Sequence, residues 1–267
     1  MRFAAARGSV RIAYDVLGTG TPLVMLHHFG ESSGFWHEFG YVEGCLARGR
    51  QVVLIDLRGH GESSKPVDAA AYGCPQSCRD VIAVLNDAGI DRADLLGYGM
   101  GGRIALSLAI HASERVCAVA AGAAHPFAER TQLHREALAK GLEAWVDLVE
   151  RGAGGLTAQT RRRLMANDPA AIAAVVECDR PDMADALATS LVPILLFLGK
   201  QDPRYPLAVS FAEQAGARFI GLADRGSAAS TGTCREILPR ILDFLEEPQD
   251  YGAAEPVPPA LWSGSWA

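Results

Sequence analysis

Residues Leu95-Leu96-Gly97-Tyr98-Gly99-Met100-Gly101-Gly102 form a short apolar run that breaks into glycines and passes straight into the apolar, helix-forming stretch Arg103–Ile110. A strand that ends in Gly-x-Ser-x-Gly and turns directly into a helix presents its serine on a tight turn at the top of a sheet. Gly97 and Gly101 hold the outer glycine places, but Gly99 stands in the serine place. Glycine carries no side-chain oxygen, so no acyl-enzyme can form at this position.

Outward from this turn, strand and helix patterns alternate. Val10–Val16 reads as a strand, followed by the turn Gly18-Thr19-Gly20-Thr21-Pro22. The continuous apolar runs Leu23–Leu26 and Gln51–Leu57 read as strands buried on both faces. Glu38–Arg48 and Arg79–Asn86 have helical spacing, Val116–Ala120, Val192–Leu198 and Arg218–Leu222 read as strands, and Arg235–Leu245 as the last helix. Such alternation predicts an α/β fold with a mostly parallel twisted sheet and helices on both faces. Residues 1–125 and 191–247 are expected to form the core, with 126–190 a small helical cap insertion. Residues 248–267, rich in Pro, Gly, Ala and Ser, are expected to be a flexible tail.

The chain has 267 residues, of which 49% are hydrophobic, enough for one large buried core. With a formal net charge of −6 and scattered Lys and Arg, it carries no nucleic-acid footprint. The one basic cluster, Arg161-Arg162-Arg163, is expected on a solvated helix face. No apolar run reaches membrane-spanning length, and the start, Met1-Arg2-Phe3-Ala4, is not expected to be a secretory signal, since it lacks the long apolar segment of one. Six dispersed cysteines suit a reduced cytoplasm better than a disulfide scaffold. Cys74 and Cys78 share a helix face without a second pair at metal-site spacing, so no metal or organic cofactor is implied. The expected partner is a small-molecule substrate, with no nucleic acid and no membrane; a homodimer is compatible with the sequence.

Four stretches together resemble the α/β-hydrolase superfamily. Leu23-Val24-Met25-Leu26-His27-His28-Phe29-Gly30 is similar to the strand and loop that give half of the oxyanion hole. Ile55-Asp56-Leu57-Arg58-Gly59-His60-Gly61-Glu62-Ser63 is similar to a turn common in these proteins. The third is the glycine turn at 97–101, and the fourth, Phe197-Leu198-Gly199-Lys200-Gln201-Asp202-Pro203, resembles the strand end carrying the acid of the catalytic triad. The resemblance covers roughly residues 8 to 246.

Measured by that resemblance, the triad is degenerate. The nucleophile is replaced by Gly99, and the loop Leu222–Ala228, which holds the histidine in the family, contains none; Ser227 aligns with it, while the acid Asp202 remains. His28 stands where the family has the glycine of a His-Gly pair. Losing the serine or the histidine of such a triad costs about 10⁶ in kcat, so two losses imply that acyl transfer was abandoned. The Phe29 and Met100 amides are still expected to stabilise an oxyanion. Elbow strain does not follow from the sequence, since glycine relaxes the turn.

Other readings compete. Gly97, Gly99 and Gly102 spell the dinucleotide fingerprint, but the following strand ends Ala120-Ala121-Gly122-Ala123-Ala124, without the acid that grips a ribose. A literal Gly-x-Ser-x-Gly occurs at 30–34, with Ser32 poorly placed for attack. His27 and His60 read as structural. His28, His125 and Asp202 are the candidate acid/base residues, with Phe29, Met100, Gly99, Tyr98 and Ser227 as candidate oxyanion or ligand-binding residues; Tyr98 can also face the core. Extra room is expected where the serine and histidine side chains would stand. The sequence therefore implies a non-hydrolytic lyase, isomerase or cyclase acting on a small carbonyl-bearing metabolite. A catalytically inactive ligand- or partner-binding protein, or a hydrolase using directly activated water, are the alternatives.

Overall fold

The computed structural model describes residues 1–223 and 234–247. Eight strands form one sheet: β1 (Arg2–Ala5), β2 (Arg11–Leu17), β3 (Pro22–Leu26), β4 (Gln51–Ile55), β5 (Ala93–Tyr98), β6 (Val116–Gly122), β7 (Ile194–Gly199) and β8 (Arg218–Leu222). Their spatial order is β1-β2-β4-β3-β5-β6-β7-β8. The β1–β2 and β2–β4 pairings are antiparallel and all later ones parallel. The edge strand β1 is an addition to the sequence reading, because Arg2–Ala5 is too short for its alternation to show.

Period-two alternation sorts the central strands into two apolar layers. Val24, Leu26, Val53 and Leu95 pack on one face, against α3 (Cys74–Asp87) and α4 (Met100–His111). Leu23, Met25, Leu54 and Leu96 pack on the other, against α2 (Tyr41–Ala47) and α11 (Cys234–Glu246). The helix expected over Glu38–Arg48 is divided, α1 (Gly34–Glu38) and α2 flanking Gly40 at φ 77°. Left-handed backbone at Gly40 interrupts the helical ladder.

Between β6 and β7 lie α5 (Gln132–Leu138), α6 (Leu142–Ala153), α7 (Ala158–Met165), α8 (Pro169–Val176) and α9 (Ala184–Ala188). Phe29 from the core joins Trp145, Val146, Leu164, Ile172 and Val176 in a third apolar cluster, so these helices pack over the loop after β3. Helix α10 (Tyr205–Ala215) then connects β7 to β8. No helix among the described residues is long and apolar enough to cross a membrane.

Candidate active site

The turn between β5 and α4 places Gly99 at φ 54°, ψ −112°, a conformation that L-residues rarely adopt. The elbow is thus formed, strain region included, without its serine. Its neighbours explain why they too are glycine. A Cβ on Gly97 would overlap the Gly101 backbone, and one on Gly101 would overlap the Leu26 carbonyl. Strand, turn and helix are packed backbone to backbone, with Gly99 N donating to Gly122 O at 2.8 Å and Gly101 N to His27 O at 3.2 Å.

Helix α4 begins at Met100, so its amide is one of the unpaired donors at a helix N-terminus. Across from it, the loop after β3 supplies the Phe29 amide. Among the described residues neither amide donates to an acceptor. His27 braces that loop from below. Its Nδ1–H donates to His28 O at 2.8 Å, and its Nε2 accepts from Leu57 N at 2.9 Å.

The space above Gly99 is not vacant. A Cβ built on Gly99 would lie 3.4 Å from Cγ and Cδ2 of His28. On the Gly99 side, the extra room expected from the sequence is therefore taken by the His28 imidazole. His28 Nδ1 lies 2.9 Å from Phe29 O. A carbonyl only accepts, so the hydrogen sits on Nδ1 and the neutral ring keeps a bare Nε2. Burial, then the Arg204 charge, push the His28 pKa down to about 3.

Asp202 is not an unengaged acid. Its buried carboxylate accepts Arg204 Nε on Oδ1 at 2.9 Å and Arg204 Nη2 on Oδ2 at 2.8 Å. Arg204, just before α10, thereby engages both oxygens of the carboxylate. Ser227 lies outside the described residues.

His125 is buried at 3% exposure with Nδ1 unpartnered, and burial brings its pKa to about 4 against the attraction of Glu129. Glu129 itself bonds Arg180 at 2.9 Å, so burial is more than offset and its carboxyl titrates low. Tyr98 is 1% exposed, ring against ring with His28, Phe35 and Phe197. Its ring thus lies in the apolar layer and stacks on the His28 imidazole.

Two further site residues, besides Arg204, escape the sequence reading. His134 on α5 accepts Trp145 Nε1–H on its Nδ1 at 3.0 Å and meets Phe29 edge to face at 5.5 Å. Its hydrogen is therefore on Nε2, and burial and Arg180 lower its pKa to about 4. Arg163 corrects the solvated-face expectation. Its Nε donates to Glu31 at 2.6 Å and its Nη1 forms an ion pair with Glu38 at 2.6 Å, with its side chain 15% exposed. Trp145 closes on Gly30, where a Cβ would overlap its ring, and Asn167 Nδ2 donates to Gly30 O at 2.6 Å. The stretch from α6 to Asn167 is thus fastened directly to the loop that carries Phe29.

The sheet order, the β5–α4 elbow and the acid after β7 define an α/β-hydrolase-type scaffold. Residues 21–187 match the alpha/beta hydrolase fold family, and the chain belongs to it. It is similar to the bifunctional epoxide hydrolase 2 of Sus scrofa, 32% identical over 119 residues, which is 44% of this chain and 21% of that protein. The match thus spans about a fifth of that relative's length. In structure it resembles the enol-lactonase of Burkholderia xenovorans LB400, with TM-score 0.81, 22% identity, and 92% and 100% of the two chains covered. It also resembles the bottromycin epimerase BotH, solved with bottromycin A2, with TM-score 0.77, 22% identity, and 91% and 98% covered. At these identities the structural likeness is one of fold.

Proposed function

We propose that this protein is a cofactor-independent lyase, isomerase or cyclase that moves a proton next to a carbonyl of a small metabolite. In this reading the triad is degenerate, with Gly99 for the nucleophile and Ser227 at the histidine place. The observation that carries it is the imidazole of His28 over Gly99, beside the unengaged Phe29 and Met100 amides.

His28 Nε2 would accept the proton from the carbon α to the carbonyl. The C–H electron pair moves onto the carbonyl oxygen, and the enolate is held by the two amides and the α4 N-terminus. Return of the proton to another carbon gives an isomer; loss of a β-substituent, which leaves with the electron pair and takes the proton from His28, gives elimination; and attack of the enolate carbon on a second carbonyl of the same molecule, whose oxygen takes that proton, gives a ring. The enolate's charge raises the affinity of the adjacent imidazole for its proton, opposing Arg204.

Family membership and relatives named as hydrolases favour one second reading, attack by water activated at the same imidazole. Proton nuclear magnetic resonance in D₂O with lactones, enones and β-dicarbonyls separates the two. Proton transfer predicts α-deuterium incorporation or isomerisation that falls at least ~100-fold in His28→Gln, with smaller effects in His125 and Asp202 variants. Hydrolysis without α-exchange favours water attack. Binding without any turnover overturns both and leaves a binding protein.

A further inference from the structure

The loop after β3 closes in a tight turn over residues 28–31. Glu31 N donates to His28 O at 3.1 Å, and Gly30, the third residue, has φ 78°, while Phe29 keeps a negative φ. That is a type II turn, which calls for glycine at its third place. Each of its first three carbonyls is held by a side chain. His28 O accepts from His27 Nδ1 at 2.8 Å, Phe29 O from His28 Nδ1 at 2.9 Å, and Gly30 O from Asn167 Nδ2 at 2.6 Å. The first two donors belong to the loop itself. Asn167 does not, since it lies just past the end of α7. Its Nδ2 also faces Leu164 O at 3.0 Å and Arg163 O at 3.3 Å. All three partners are carbonyls, so it is the NH₂ group of Asn167 that meets the loop.

The peptides of this turn are trans, so the carbonyl and the N–H of each point in opposite directions. The Gly30 carbonyl held by Asn167 shares its peptide with the Glu31 N–H. The His28 carbonyl that accepts this N–H shares its peptide with the Phe29 N–H. A side chain of the α7 segment is thus linked to the Phe29 N–H through two peptide groups in series. Hydrogen bonds in such a chain polarise one another in the same sense.

We propose that Asn167 is a positioning residue: through the Gly30–Glu31 and His28–Phe29 peptides it aims and polarises the Phe29 N–H, so the oxyanion site is complete only while the α7 segment is seated on the loop. This rests on the Phe29 amide acting as an oxyanion donor, as proposed above.

Two measurements test the relay: steady-state kinetics with whichever of the lactone, enone and β-dicarbonyl probes turns over, and the nuclear magnetic resonance shift of the Phe29 amide proton in the free protein. Asn167→Asp and Asn167→Leu both lose the donor, one with an added charge and one without, and either decides the matter should the other fold poorly. The expected result is a kcat lower by about tenfold at unchanged KM, short of the roughly 10²–10³ lost with a whole oxyanion donor, together with an upfield move of the Phe29 amide proton. Asn167→Gln, which keeps the NH₂ group, recovers part of both. Thr160→Val releases α7 from Glu38 without touching the peptide chain, and changes neither. A raised KM at constant kcat, or a Phe29 amide proton unmoved in the folded variants without the donor, overturns the relay. Absence of turnover with every probe overturns the proposed chemistry alone, and the Phe29 shift then judges the relay.

Discussion

Arg204 and Asp202 form a two-point ion pair, Nε to Oδ1 at 2.9 Å and Nη2 to Oδ2 at 2.8 Å, with the carboxylate fully buried. Breaking a buried pair from one side leaves a stranded charge, which costs about 3 kcal/mol or more. Arg204→Met should therefore lower Tm by about 5–10 °C. The same substitution removes a positive charge from the surroundings of His28, so the imidazole becomes easier to protonate and its pKa rises from about 3. A histidine titration by nuclear magnetic resonance reads this directly. A His28 pKa unmoved or lowered in the variant would contradict the coupling.

Two of the elbow glycines should differ sharply in tolerance. Gly99→Ala places its methyl 3.4 Å from the His28 ring and strains a backbone at φ 54°, for a cost of about 1–3 kcal/mol. Gly101→Ala drives a methyl into the Leu26 carbonyl, with no flexible side chain to move aside, and should yield little folded protein. Expression and melting curves order the variants. Equal stability of the two would refute the packing of α4 on β3 described above.

Acid should weaken the fold early. An unfolded imidazole takes up its proton near pH 6.5, whereas His28 and His60 stay bare to about 3 and His125 and His134 to about 4. Between those limits the unfolded chain binds more protons, so stability is full above pH 6.5 and falls as pH drops toward 4. Each histidine contributes up to about 1.4 kcal/mol per pH unit. Melts from pH 8 to pH 4 should show a plateau and then a decline, less steep in His60→Gln. A Tm constant between pH 6.5 and 4.5 is the contrary result.

Arg163 and Glu31 join cap to core, and burial raises the Glu31 pKa against that bond. Arg163→Met should cost about 3 kcal/mol, and adding Glu31→Gln should restore part of it. A double-mutant cycle measures the coupling. Strict additivity would show that the pair carries no cap-to-core interaction.

The sheet was legible because Leu23–Leu26, Gln51–Leu57 and Val192–Leu198 are apolar runs too short for helices, punctuated by glycine turns. The pairing of Gly99 with His28 was legible only as two separate departures; that one side chain fills the space left by the other depends on a distance between loops seventy residues apart. Asp202 was found by its strand end, yet Arg204, two positions on, was passed over, because a charge at a helix start is usually solvated. His134 left no signal. A histidine in a charged amphipathic stretch acquires meaning only when Trp145 and Phe29 fold against it.

Arg103 on α4 holds backbone carbonyls from two separate stretches of the chain between β6 and β7, His125 and Phe127 before α5 and Pro181 between α8 and α9. One side chain thereby ties both stretches to the same helix. Lifting either stretch alone breaks bonds at the guanidinium while the other still holds. The two stretches should therefore open together, and the amides along both should exchange with solvent deuterium at one common rate.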